Sequence, residues 1–320
     1  MVQISFMDSS WVWLLLYFTC NLTLTLHNKI ILALYNFPYP WTLTAVHTLC
    51  GTIGSYLCLR SGSFTVTSLG ERESAVIAGF SILYTINIAI SNVSLNLVTI
   101  PFHQVVRAMT PVFTVILSVM LLQKHQSVMT YVSLIPVVMG VAFATYGDYS
   151  YTTMGFFLTI FGTVLAALKT VLTNRILVGR LKLHPLDLLL RMSPLAFVQT
   201  VFYAYLTGEL SQVRSFAATE MTWSVAFALL INGIIAFLLN VVSFTANKKT
   251  SALTMTVAGN VKQVLSILLA VVIFGLKIGQ LHLAGIALTL AGGAWYTTVE
   301  LSEKKQQSTL PLHVPSKGQQ

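Results

Sequence analysis

An all-α polytopic membrane protein of ten transmembrane helices, arranged as two inverted five-helix repeats, is the fold class the sequence predicts. Three observations predict it. The chain is 55% hydrophobic and only 8% charged, whereas a soluble domain carries about 25% charged residues. Its apolar runs come in lengths close to the roughly 20 residues that cross a bilayer as a helix. The second half also repeats the first nearly in register. A net charge of +9 in a soluble protein would suggest nucleic acid, but most of these cations sit in short loops between apolar runs, where membrane topology accounts for them.

At that length per span, helices are expected over residues 11–34, 41–59, 74–95, 99–122, 129–147, 153–177, 185–206, 220–246, 251–275 and 279–299. Residues 1–10 form a short N-terminal segment, and residues 302–320, with Ser, Gln, Pro and Lys, read as a flexible polar tail. Connections are short and no soluble domain is left over. The loops after even-numbered helices and the tail hold Arg60, Arg72, Lys124, Arg180, Lys182, Lys248, Lys249, Lys304, Lys305 and Lys317, with Arg175 just inside a helix end; the opposite side has only Arg214 and Lys277. Eleven cations against two put both termini in the cytoplasm by the positive-inside rule. The N-terminus enters its first apolar run at Trp11 without an Arg- and Ser-rich amphipathic leader, which argues against import into a plastid or mitochondrion. Cys20, Cys50 and Cys58 lie in the first two apolar segments with no metal-ligand spacing and read as small packing residues.

The repeat unit covers residues 11–147 and 153–299. HNKIILALYNFPYPWTLTAVHTL, from His27, resembles TNRILVGRLKLHPLDLLLRMSPL, from Thr173: each has Asn and a cation near a helix end, a Pro-marked turn and another span. PFHQVVRAMTPVFTVILSVMLLQK, from Pro101, resembles MTVAGNVKQVLSILLAVVIFGLK, from Met255, aligning Arg107 with Lys262. Asn28 to Asn174 is a shift of 146, Arg107 to Lys262 is 155 and Gly140 to Gly292 is 152, so one register with small loop changes covers most of both halves. Five helices per half is an odd number, which makes the second copy enter the membrane upside down. Inverted repeats with a polar site at the midplane are the architecture of alternating-access carriers.

Four cations fall inside expected spans: Lys29, Arg107, Lys169 and Lys262. A cation at the centre of a spanning helix costs roughly 2.5–3.5 kcal/mol on insertion scales, and such residues face water-filled cavities and serve function. Arg191 differs, because Asp187 precedes it by one turn and can pair with it. The remaining carboxylates lie in loops, at helix ends or in the tail, so the missing counter-charge is best supplied by an anionic ligand. Lys, a compact point charge, and Arg, a planar fork, both suit phosphate. The helix faces around these cations are polar or small: His103, Gln104 and Thr110 near Arg107; Thr170, Thr173 and Asn174 near Lys169; Gly259, Asn260 and Gln263 near Lys262; Asn28 beside Lys29. Lys29 lies near a helix end, where snorkelling and ligand contact are both open. Pro111 has no N–H for the carbonyl of Arg107, so an unpaired acceptor and a kink are expected there. Tyr84, Asn87, Ser91, Asn92, Ser94 and Asn96 recur every three or four residues. Such a stripe either bonds helix to helix or lines a cavity.

NVSLNLVTIPFHQVVRAMTPVFT (from Asn92), LKTVLTNRIL (from Leu168) and TVAGNVKQVLSILLAVVIFG (from Thr256) closely resemble the triose-phosphate translocator and nucleotide-sugar transporter family of the drug/metabolite transporter superfamily. The likeness covers nearly the whole chain. It implies ten helices in two inverted halves, and exchange of a phosphorylated sugar or nucleotide sugar for phosphate or a nucleoside monophosphate. Lys169-Thr170 resembles the Lys-Thr subgroup, which includes UDP-sugar carriers of the Golgi. Plastid sugar-phosphate members have Lys-Arg where this chain has Lys262-Gln263, and that departure weakens a direct phosphate-exchanger reading. The Phe-Tyr-Asn-Asn and Gly-Ala-Leu-Asn-Lys motifs of GDP-mannose carriers are absent, with GNVKQ from Gly259 only partly like the second.

The expected function is therefore a nucleotide-sugar antiporter of the Golgi or ER membrane, a UDP-sugar exchanging for UMP, with a sugar-phosphate or phosphoenolpyruvate exchanger as the alternative. No cofactor or metal is called for. A membrane enzyme would need a nucleophile, an acid/base carboxylate or a metal cluster, and the expected membrane core offers no carboxylate and no His/Cys/Asp cluster with ligand spacing. A non-transporting regulatory membrane protein and a homodimer both stay open on sequence.

Overall fold

The structure is a computed structural model that describes residues 10–33, 35–95, 97–123, 126–146, 152–179, 181–251, 254–255, 258–259, 263 and 279–309. Eleven helices are described: α1 (Ser10–Ala33), α2 (Pro40–Arg60), α3 (Glu71–Leu95), α4 (Ile100–Arg107), α5 (Thr110–Leu122), α6 (Val128–Tyr146), α7 (Thr153–Val178), α8 (Pro185–Leu206), α9 (Glu209–Thr219), α10 (Trp223–Lys249) and α11 (Gln280–Thr309). There are no strands among the described residues. Proline opens α2, α4, α5 and α8, at the first-turn position where its missing N–H costs nothing. Threonine hydroxyls cap α4, α7 and α10: Thr99, Thr152 and Thr222 accept from the N–H groups of Phe102, Gly155 and Val225.

Among the described residues, five helical stretches are long and apolar enough to cross a membrane: Pro40–Arg60, Glu71–Leu95, Phe102–Leu122, Thr153–Val178 and Trp223–Lys249; Val128–Ala144 and Leu283–Val299 are shorter apolar helices. The expected helix over 251–275 falls mostly outside the described residues, of which Thr254, Met255, Ala258, Gly259 and Gln263 are helical. Burial runs opposite to that of a water-soluble protein. Trp223, Val128 and Met120 are 93%, 76% and 71% exposed, while Ser55, Thr163 and Asn232 are fully buried. An apolar exterior over a polar interior is what a bilayer selects, because lipid cannot satisfy polar groups.

Two expectations are corrected. The connection after α8 is not a plain short loop. It makes a tight turn at Gly208 (φ +74°), a backbone conformation that suits glycine, and then folds as α9. Its first residue, Glu209, expected in a loop, is buried and accepts from the N–H groups of Trp41 (3.2 Å) and Thr42 (2.6 Å). It thereby neutralises the positive N-terminal end of α2. The last helix also runs on to Thr309, beyond the predicted 299, so residues 302–309 are helical rather than a flexible tail. Glu303 Oε1 accepts from Ser127 and Thr130 (3.1 Å for the latter), which ties that extension to the start of α6.

Small residues let the helices approach closely. A Cβ on Gly140 of α6 would stand 2.5 Å from Thr289 N and 2.7 Å from Gly285 O of α11; one on Gly292 would stand 2.8 Å from Val137 N. Cys50 packs against Gly233 between α2 and α10. At one end of the bundle, Ile77, Phe80, Leu177, Leu188, Met192 and Phe244 form an apolar cluster; at the other, Ile31, Phe37, Leu43, Phe216 and Val225 form a second. The Asp187–Arg191 pair (2.9 Å) holds the α2–α3 loop against α8, since Asp187 Oδ2 accepts from Thr67 N–H and Arg191 Nη2 donates to Thr67 O. Beside it, burial, then the Lys248 charge, hold His184 below the usual histidine range against the opposing pull of Asp187.

Candidate functional site

The site begins with a broken helix. The expected span 99–122 divides into α4 and α5 at Ala108 and Met109, because Pro111 has no N–H for the carbonyl of Arg107. That carbonyl is not left unpaired, contrary to expectation: Thr110 Oγ1 donates to it at 2.5 Å. The break fixes the end of α4, and Arg107 there donates from Nη1 to Ser91 Oγ at 2.6 Å. Thr110→Val keeps the shape but strips the bond, leaving a backbone acceptor in the interior. A loss of about 1–3 kcal/mol is expected. Thermal unfolding in detergent should show it, and Thr110→Ser should restore most of it.

A cavity of about 530 Å³ lies between α1, α2, α3, α4, α7 and α10, with Phe244 of one apolar cluster and Leu43 of the other on its walls. It has two basic walls. Arg107 lies on one, beside Ser91, and Lys169 on another, with its Nζ 5.2 Å from the centre of the Tyr84 ring. Tyr84 in turn hydrogen-bonds Asn240. No carboxylate lines the cavity among the described residues. On the α1–α2 side are the neutral groups Asn21, Asn28, Thr44 and His47; on α10 are Asn240, Ser243 and Asn247.

The structure brings together Arg107, Lys169, Thr170, Thr173, Asn28 and Tyr84 from the expected set. Thr170 and Thr173 return their hydroxyls to the carbonyls of Ala166 (2.9 Å) and Lys169 (2.7 Å), which leaves hydroxyl lone pairs on the cavity wall. Asn174 stands behind the wall: its Nδ2 donates to Asn247 O (3.0 Å) and Oδ1 (3.1 Å) and holds Asn247 at the cavity. His103 and Gln104 are not on the lining. His103 is buried against Ser94 (3.2 Å), because it lies one turn before Arg107 on the side of α4 that packs on the end of α3. Gly259 is also off the lining, with no heavy atom of a described residue within 4 Å of where a Cβ would stand. Gln263 Oε1 is buried without a described partner. Lys262 and Asn260 lie outside the described residues, as do the side chains of Lys29 and Asn92.

The α3 stripe serves both purposes weighed for it. Tyr84, Asn87 and Ser91 line the cavity, Asn87 also donating to Gly162 O at 2.9 Å, while Ser94 bonds within the helix layer to Ser91 O and His103. Sequence reasoning passed over Asn21, His47, Asn240, Ser243 and Asn247. Asn240, Ser243 and Asn247 recur at spacings of three and four on an otherwise apolar helix, a signal of the same kind as the α3 stripe.

The profile of the Triose-phosphate Transporter family matches residues 10–297. The chain belongs to that family. Its relatives in Arabidopsis thaliana include a probable sugar phosphate/phosphate translocator, 30% identical over 90% of this chain and 94% of the relative. A GDP-mannose transporter is 28% identical over 91% and 86%, and UDP-galactose transporter 1 is 28% identical over 86% and 82%. A solved crystal structure of another protein superposes with a TM-score of 0.61 at 16% identity, over 92% of this chain and all of that one, which is a likeness of fold. This triose-phosphate transporter family member is thus a multi-pass membrane solute transporter.

Proposed function

We propose that this chain is a nucleotide-sugar antiporter, exchanging a UDP-sugar for UMP across the Golgi or ER membrane by alternating access, with both termini cytoplasmic and ten spans in two inverted halves. The observation that carries it is the cavity itself: Arg107 and Lys169 face a volume with no carboxylate among the described residues, opposite walls of neutral amides, hydroxyls and an imidazole. Two cations suit a phosphorylated solute; the neutral walls suit something larger than phosphate. Lys262, aligned with Arg107 by the repeat, would supply a further cation from the second half. A cationic site that holds an anion in both directions should reorient faster loaded than empty, which favours exchange over one-way passage.

UDP-galactose and GDP-mannose transporters match this chain at the same 28% identity, so the preference for UDP-sugars rests on Lys169-Thr170 and on the absent GDP-mannose motifs. The 30% identity to a probable sugar phosphate/phosphate translocator keeps a sugar-phosphate exchanger as the second reading. The test is exchange in liposomes containing the purified full chain, preloaded with UMP, GMP, CMP, AMP or inorganic phosphate, with labelled UMP outside. Uptake driven by internal UMP and not by phosphate is expected. Uptake driven only by phosphate or a sugar phosphate would give the second reading the place of the first.

A further inference from the structure

Asn232 of α10 is fully buried and does not itself reach the cavity. Its side chain is nevertheless shared by three others. Nδ2 donates to Asn28 Oδ1 at 2.7 Å and to His27 Nδ1 at 3.0 Å, both on α1, while Oδ1 bonds to His47 Nε2 on α2. These bonds dictate what each partner has left. An amide with its nitrogen committed to two acceptors must use its oxygen as an acceptor, so His47 Nε2 carries the proton and, in the neutral ring, Nδ1 keeps a lone pair. Asn28 spends its oxygen on Asn232 and keeps its NH₂ group. His47 and Asn28 both line the cavity. Side by side, they offer it one acceptor and one donor, with no charge.

Position separates this pair from Lys169. Along α10, Asn232 lies eight residues before Asn240, the partner of Tyr84, over which Lys169 sits. Eight residues of helix are roughly 12 Å. A phosphate held at Lys169 would need an attached nucleoside or hexose to span that distance; a bare phosphate would not reach.

We infer that Asn28 and His47, oriented by Asn232, form a neutral recognition subsite that reads a paired donor and acceptor on the uncharged part of the solute, a sugar hydroxyl or the amide edge of a nucleobase. Asn28 and His47 are the contacting groups and Asn232 is a positioning residue. The inference rests on the proposed transport of a phosphorylated organic solute.

The experiment measures apparent affinity of the reconstituted full chain for four competitors of labelled UMP uptake: UMP, UDP-galactose, galactose 1-phosphate and inorganic phosphate. Variants are His47→Ala, Asn28→Ala and His47→Gln; Asn232 is left in place because its loss would strip three partners from the interior. The readout is the ratio of affinities between competitors, which a general loss of fold does not change. Removing a group that pairs with the solute is expected to weaken at least one organic competitor about 10-fold relative to phosphate, and His47→Gln, which keeps a donor and an acceptor, recovers most of it. Loss on UMP and UDP-galactose but not galactose 1-phosphate identifies the nucleoside; loss on UDP-galactose and galactose 1-phosphate but not UMP identifies the sugar hydroxyls. Ratios unchanged within 2-fold overturn the subsite while leaving the transport reading intact. A wild-type protein that takes up none of these solutes overturns both.

Discussion

Lys169→Ala is expected to reduce UMP exchange by about 30-fold or more. It should nevertheless leave the unliganded protein folded. The reasoning turns on what the charge does in each state. Without ligand, the ammonium lies over the face of Tyr84, one of its contacts, at a cavity with no carboxylate on its walls among the described residues. Such an exchange of charge for face is worth on the order of 0.5–2 kcal/mol, against the cost of keeping a cation in the bundle interior. The two roughly offset, so the melting temperature of the empty variant should move little. With a phosphate bound, the same ammonium makes a charge-assisted hydrogen bond in a desolvated site. Removing one partner of such a pair costs about 2–5 kcal/mol, and about 2 kcal/mol is already roughly 30-fold. The measurement is therefore double: liposome exchange, and the thermal shift that UMP produces in detergent. Loss of exchange and of the UMP shift, with the empty protein's stability preserved, supports ligand contact. Loss of stability without ligand would make Lys169 a structural residue and remove the main support for the proposed site. Arg107→Ala differs in a useful way, because it also frees Ser91 and so should cost some stability as well as exchange.

Gly140→Leu should be among the most destabilising single changes outside the site. The obstacle to a side chain there is main chain, with Thr289 N at 2.5 Å and Gly285 O at 2.7 Å from the Cβ position. A flexible neighbour can rotate away; two backbones cannot, so α6 and α11 must separate and lose their contact along the seam. Overpacking of this kind costs about 1–3 kcal/mol, more where the backbone must shift, and the upper end is expected here. Gly79→Ala is the control. It lies on an exposed face of α3 with no atom within 4 Å of its Cβ position, and alanine favours helix by up to about 1 kcal/mol. In the same thermal assay it should be neutral or slightly stabilising. Should Gly140→Leu melt with the wild type, the close approach of α6 and α11 is not present in the folded protein.

Much of this was readable from residue types alone. Apolar runs, loop cations and starting prolines are local, and local features map directly onto helix positions: Pro40, Pro101 and Pro185 each stand at the first turn of a helix, and Asp187 met Arg191 one turn on, as their spacing requires. Arg107 and Lys169 were also legible, because an ionised group inside an apolar run is conspicuous whatever surrounds it. Neutral polar residues are different. Asn87, Asn232 and Asn240 look alike in sequence, yet Asn87 lines the cavity while bridging to a backbone carbonyl, Asn232 organises three partners while fully buried off the cavity, and Asn240 lines the cavity beside Tyr84. The same holds for His47 and His103, one on the cavity wall and one packed behind it.

The sequence by itself determined the membrane-spanning helical character, from composition along the chain, and the family, from the resemblance of its motifs. Only the tertiary structure decided which polar groups face the cavity, that Thr110 repairs the break Pro111 makes, that Glu209 caps a helix far from it in sequence, and that Asn28 and His47 meet through Asn232. Those depend on how each helix is rotated about its own axis against its neighbours, and helix rotation is set by packing between segments rather than by the order of residues within one.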